Sequence, residues 1–151
     1  ADFTNGKFEP IIDDARIIDT AAVQRVLLHS GKLHYDLLAE LEKHEHAEKF
    51  ALVRFEQYYP LAEQAITDVV NRYPHAEIVW VQEEPENMGA WDFIRPHLVE
   101  LSGGRTVRYG ELGPRVAHLA GRLAAQPPHG GTGSSTRRRQ RRSRARRGPR
   151  T

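Results

Sequence analysis

Eight histidines, two adjacent glutamates, a Ser-Gly-Lys triplet and a run of arginines are the residues whose types and spacing could do chemistry. His44 and His46 stand two apart, with Glu45 and Glu48 beside them. Imidazole and carboxylate are suitable metal ligands, but a gap of two does not bring both rings to one helix face. A solvated loop is the expected setting. Ser30-Gly31-Lys32 follows an apolar run and opens a helical pattern, where free N–H groups favour a phosphate or carboxylate. A nucleotide-cradling loop needs a longer glycine-rich stretch before its lysine, so an ordinary strand-to-helix turn is expected. Glu83 and Glu84 end another apolar run. Buried together they could act as acid and base, because like charges drive one pKa upward; otherwise they belong to a polar turn that caps a helix. There is no Gly-x-Ser-x-Gly elbow, no cysteine and no histidine with a legible partner. The segment is expected to be non-catalytic by itself, with no metal site.

Charge divides the chain. The net value of +2 conceals nine arginines among residues 131–151 (137, 138, 139, 141, 142, 144, 146, 147 and 150), with no acid there. The other thirteen Lys and Arg face all twenty Asp and Glu, so residues 1–130 carry about −7. Dense arginine suits salt-dependent, sequence-independent binding to nucleic acid, although aromatics for base stacking are not interleaved. The competing reading is a disordered tail without a role, including one translated from an altered reading frame. The lack of cysteine excludes a thiolate metal site and fits a reducing compartment such as the cytoplasm. No apolar run approaches the roughly 20 residues of a membrane span, and the N-terminus has no signal-peptide pattern. The chain starts at Ala1 without an initiator methionine, which suggests a start inside a longer polypeptide.

The elements that must position these groups follow an alternating order. Residues 1–20 read as an extended lead-in. Strands are expected at Val26–Leu28, Phe50–Phe55 and Ile78–Val81, with a short one near Thr106–Tyr109. Between them lie helices: about Lys32 to His44, with Leu33, Leu37, Leu38 and Leu41 on one face; a second opened by Pro60 and carrying Leu61, Ala65, Ile66, Val69, Val70 and Tyr73; and a third with Trp91, Ile94, Leu98 and Leu101. Pro85 stops the third strand and Gly89 supplies a permissive turn position. The alternation predicts an α/β domain over 21–110, with a small mostly parallel sheet and flanking helices. Residues 111–151 read as a weak helix over 111–126, followed by a disordered basic tail.

Four stretches carry a resemblance. They are Asp2-Phe3-Thr4 with Gly6-Lys7-Phe8; Val26-Leu27-Leu28-His29-Ser30-Gly31-Lys32-Leu33-His34-Tyr35; Ala51-Leu52-Val53-Arg54-Phe55-Glu56-Gln57; and Trp80-Val81-Gln82-Glu83-Glu84-Pro85-Glu86-Asn87-Met88-Gly89-Ala90-Trp91. Together they resemble the C-terminal domain of the decarboxylating component of 2-oxoglutarate dehydrogenase, especially the actinobacterial 2-oxoglutarate decarboxylase form. Met88 stands where that family usually has Gln. The resemblance implies a transketolase C-terminal-like domain that helps to dimerise and organise its enzyme. The parent would decarboxylate 2-oxoglutarate in the citric acid cycle, using thiamine diphosphate and Mg2+ held by upstream domains. It would pass the succinyl group to a lipoyl-carrying acyltransferase component. The resemblance also implies an acetyl-CoA effector site, matched here by Lys7 and Gln57. Pro10, Gln64 and Ala65 fall where the family has a serine and two arginines, the latter suited to CoA phosphates. After Gly110 the arginine-rich run replaces the family's ending.

Overall fold

The computed structural model describes residues 7–111. Its elements are β1 (Ile11–Ile12), β2 (Arg25–Ser30), α1 (Leu33–Leu41), a 3-10 turn (Ala47–Lys49), β3 (Phe50–Phe55), α2 (Glu63–Arg72), β4 (Glu77–Gln82), α3 (Trp91–Leu101) and β5 (Val107–Glu111). They form a five-stranded sheet in the order β1-β3-β2-β4-β5. β2 pairs in parallel with β3 and β4, and β4 with β5, whereas β1 lies antiparallel on β3 with Ile11 opposite Phe55. The sheet is therefore mixed. The lead-in contributes its antiparallel edge, because Pro10 C=O accepts from Glu56 N and Gln57 N and draws the chain alongside β3.

Burial on both faces explains why the strands read as continuous apolar runs. Val26, Leu28, Val53, Phe55, Ile78 and Trp80 pack against Ile66 and Val70 of α2 and Ile94 and Leu98 of α3. The alternate residues Leu27, Leu52, Val79 and Val81 pack against Leu33, Leu37 and Leu41 of α1. Alternation along a strand sends successive side chains to opposite faces, so each strand feeds two cores. Burying each such side chain is worth about 1.5–3 kcal/mol.

Two helix boundaries differ from the sequence expectation. α1 stops at Leu41 rather than near His44, since Lys43 N and His44 N close short bonds onto Glu40 O and Leu41 O. α2 starts at Glu63, so Pro60 precedes it instead of opening it. The Tyr59-Pro60 peptide is cis, and Gln57 Nε2 donates to Pro60 O at 2.7 Å, which makes residues 57–60 a closed turn. The expected weak helix within 111–126 and the arginine run lie outside the described residues.

Buried polar groups fasten the sheet from both ends. Asp14 accepts from Leu52 N at 2.8 Å, which satisfies the edge of β3 just beyond the two-residue β1. Burial pushes its carboxyl up, but hydrogen bonds from Arg16 and from Leu52 and Arg16 N–H groups outweigh it, and the pKa lies below the ordinary value. Glu77 takes Arg25 Nε at 2.7 Å and Arg108 Nη1 at 2.8 Å, tying β2, β4 and β5 at their amino ends. Arg105 donates to the carbonyls of Val70, Tyr73 and Ala76, and so caps the carboxyl end of α2 with a cation.

Candidate functional site

The strand order reverses direction between β2 and β4. β2 leads through α1 to β3 on one side, and β4 leads through α3 to β5 on the other. Crevices beyond the carboxyl ends of strands at such a switch point are where open α/β sheets tend to bind. In this chain that point carries Ser30, the last residue of β2, with Gly31-Lys32 after it, and Glu83-Glu84 after β4. Gly31 has φ 60, the left-handed geometry that turns the chain sharply into α1. Lys32 Nζ and Glu83 Oε1 meet across the crevice at 3.1 Å, both exposed. The bond and charge of Glu83 raise the lysine pKa.

Glu83 and Glu84 are both exposed and do not form a buried pair. The turn reading of these residues is the one the structure carries, with Gln82 as its organiser. The Gln82 side chain is buried; its Oε1 accepts from Trp80 Nε1 at 2.9 Å, and its Nε2 donates to Glu84 O, Pro85 O and, at 2.6 Å, Met88 O. Tyr109 Oη donates to Glu84 O at 2.5 Å, and Trp91 Nε1 to Glu86 Oε1 at 3.2 Å. Gly89 has φ 70, and a Cβ there would lie 2.9 Å from Gln82 Nε2. The glutamine can reach Met88 O only because residue 89 has no side chain.

A second polar group sits one strand position before the crevice. His29 is fully buried on the α1 side of β2. Its Nδ1 donates to Leu27 O at 3.0 Å, because a carbonyl can only accept. Nε2 is then a bare acceptor, so His34 Nδ1 must donate to it at 3.1 Å. The rings stack 5.3 Å apart at 13°, and Tyr35 lies edge-on to His34. Burial holds His29 in the neutral form, with its pKa lowered to about 4. Burial, then the Arg54 charge, lowers His34 as well. Nearby, burial raises the Tyr58 pKa against a hydrogen bond with Ser30.

The other residues singled out in the sequence lie elsewhere. His44 is 4.0 Å from Glu40 and His46 is 3.6 Å from Glu48, in the connection after α1. Among the described residues no three His, Asp or Glu side chains converge as metal donors. The donor set does not fit a Mg2+–diphosphate group. Lys7 is exposed and Gln57 half-buried. The β1–β3 pairing runs the residues before Ile11 beside those after Phe55, which brings both to the same end of the sheet. Gln82, His29 and His34 escaped sequence reasoning. A polar residue inside each apolar run was the available signal, but only the fold supplies their partners.

Fold and site together describe a sheet domain whose carboxyl end is stitched by amide and imidazole hydrogen bonds, with Glu83 and Glu84 exposed. The chain belongs to the family described as 2-oxoglutarate dehydrogenase C-terminal, whose model matches residues 1–143. It is 36% identical over 130 residues to a 2-oxoglutarate dehydrogenase E1 component of Geobacillus kaustophilus, covering 85% of this chain and 13% of that protein. Similar relatives with the same description are found in Cupriavidus necator (36% over 126 residues, 80% of this chain and 13% of that protein). Another is found in Exiguobacterium sp. (43% over 111 residues, 71% and 12%). The chain thus spans about an eighth of the length of these relatives, and the resemblance seen in its four stretches holds at the level of the family.

Proposed function

We propose that this chain acts as the non-catalytic C-terminal domain of a thiamine diphosphate-dependent enzyme that decarboxylates 2-oxoglutarate and passes the succinyl group to a lipoyl-carrying acyltransferase component. The observation that carries this reading is the family match over 1–143, joined to relatives of which the matching segment covers only 13%. The thiamine cofactor and Mg2+ would be bound by upstream domains, where they supply the decarboxylation chemistry. This chain's own residues would organise a surface: Gln82 fixes the acidic turn, Lys32 and Glu83 bridge the crevice, and Glu77 locks three strands. Its partners would be those upstream domains and the mate of a homodimer, in the cytoplasm, with a fold like that of transketolase C-terminal domains. Acetyl-CoA would be an effector facing Lys7 and Gln57, a reading favoured by their shared end of the sheet. No finding supports the alternative of a nucleic-acid-binding arm.

The test is to assay the 151-residue chain and the full-length polypeptide side by side with 2-oxoglutarate, thiamine diphosphate and Mg2+. Carbon dioxide release by the longer polypeptide alone is expected. Release by the 151-residue chain, or an inactive longer polypeptide, would overturn the reading. Titrating acetyl-CoA into wild-type and Lys7→Ala full-length enzyme tests the effector site; equal response in both removes it.

A further inference from the structure

The imidazole pair at the head of α1 has no part in the domain role above. We propose that His29 and His34 form an acid-operated latch, which fastens the first turn of α1 to the end of β2 and releases it when His29 is protonated. The closed form depends on one bare nitrogen. His29 Nδ1 is committed to Leu27 O, so Nε2 must stay unprotonated to accept from His34 Nδ1. With the two nitrogens 3.1 Å apart, only one proton fits between them. A first added proton goes to His34 Nε2, which has no hydrogen-bond partner among the described residues, and leaves the bond intact. The next must go to His29 Nε2, where N–H would face N–H and the bond breaks.

The surroundings do not hold a charged His29 in place. Asp14, from the segment before β2, is taken by Arg16 and by Leu52 N. Arg54 of β3 faces both rings and is paired with Glu56, and Arg16 adds a further cation near His34. Tyr35 of α1 offers only a ring edge. A buried imidazolium without a dedicated carboxylate is costly, and moving out is the available relief. The helix start is suited to that motion. Lys32 makes no side-chain cap, Gly31 precedes it with φ 60, and only Leu33 among the first four helical residues is buried. Leu37 and Leu41 keep the later turns seated. Opening would therefore free residues 31–36 at the β2/β4 crevice while the sheet stays formed.

Amide hydrogen exchange across a pH series on the full 151-residue chain, corrected for intrinsic exchange, reads the latch directly. Protection at His34 and Tyr35, whose amides donate to Gly31 O and Lys32 O, is expected to fall about tenfold per pH unit for each proton taken up on opening, while Val53 and Val79 keep theirs. Loss at all of these amides together, or none at His34 and Tyr35 above the acid unfolding range, would overturn the proposal. His29→Gln is expected to remove the pH dependence at His34 and Tyr35; its persistence would also overturn it. Should that variant not fold, nitrogen NMR of wild-type histidines still decides. The proposal requires the His29 Nδ1–H form at neutral pH, and an Nε2–H form refutes it.

Discussion

Replacing Gln82 by leucine tests whether one amide holds the acidic turn to the sheet. Gln82 and Trp80 are 5% and 1% exposed, so water cannot replace the acceptor that Trp80 Nε1 loses. Trp80 Nε1 would lose its acceptor, and Met88 O its 2.6 Å donor. Leaving a buried polar group unsatisfied costs about 1–3 kcal/mol. The bonds to Glu84 O, Pro85 O and Met88 O add less, since those residues lie in an exposed turn. Leucine returns part of the loss through apolar contact. A net loss of about 2 kcal/mol is expected, well below the roughly 5–15 kcal/mol that domains have available. In urea the midpoint should drop by on the order of 1–2 M at unchanged slope. Fluorescence serves as the probe, because Trp80 and Trp91 flank the turn. Gln82→Glu should cost at least as much: it still accepts from Trp80 but turns a charge toward three carbonyls. A loss under about 0.5 kcal/mol in both variants, within the range of ordinary surface changes, would refute the reasoning.

Other substitutions probe the remaining fastenings. Gly89→Ala should destabilise by about 1–2 kcal/mol, because it strains φ 70 and presses on Gln82. In a Gln82→Leu background its effect should change, and strict additivity in a double-mutant cycle would show that the two do not touch. Arg105→Met removes donors from two carbonyls at the end of α2 and from Ala76 O beyond it, and should cost about 2 kcal/mol; faster exchange at Tyr73 and Ala76 N–H would accompany it, and unchanged exchange would count against the cap. Asp14 has a folded pKa below its unfolded one, so its contribution is full above about pH 4 and is lost as pH falls through the folded value. Asp14→Asn should therefore lower stability at pH 7 and flatten the acid limb of a stability–pH curve; an unaltered limb would reject this assignment. Lys32→Met should leave the urea midpoint unchanged, because exposed ion pairs contribute little, and a clear shift would mean that the crevice bridge is structural.

The sequence by itself determined the element types and their alternation. A run such as Ile78–Val81 is long enough for a buried strand, and Trp91, Ile94 and Leu98 recur at helical period, both being local properties that neighbours in the chain decide. The four stretches likewise carried the family, since residue identity survives without coordinates. Tertiary structure decided everything that depends on contact across the chain. Ile11 and Ile12 became an edge strand because Phe55 and Arg54 lay open to pair with them. That Glu83 and Glu84 would both stay exposed, that Gln82 would accept from Trp80, and that His29 would meet His34 all depend on how the strands and helices sit beside one another. A polar atom finds its partner through the fold, and no periodicity in the chain records that distance.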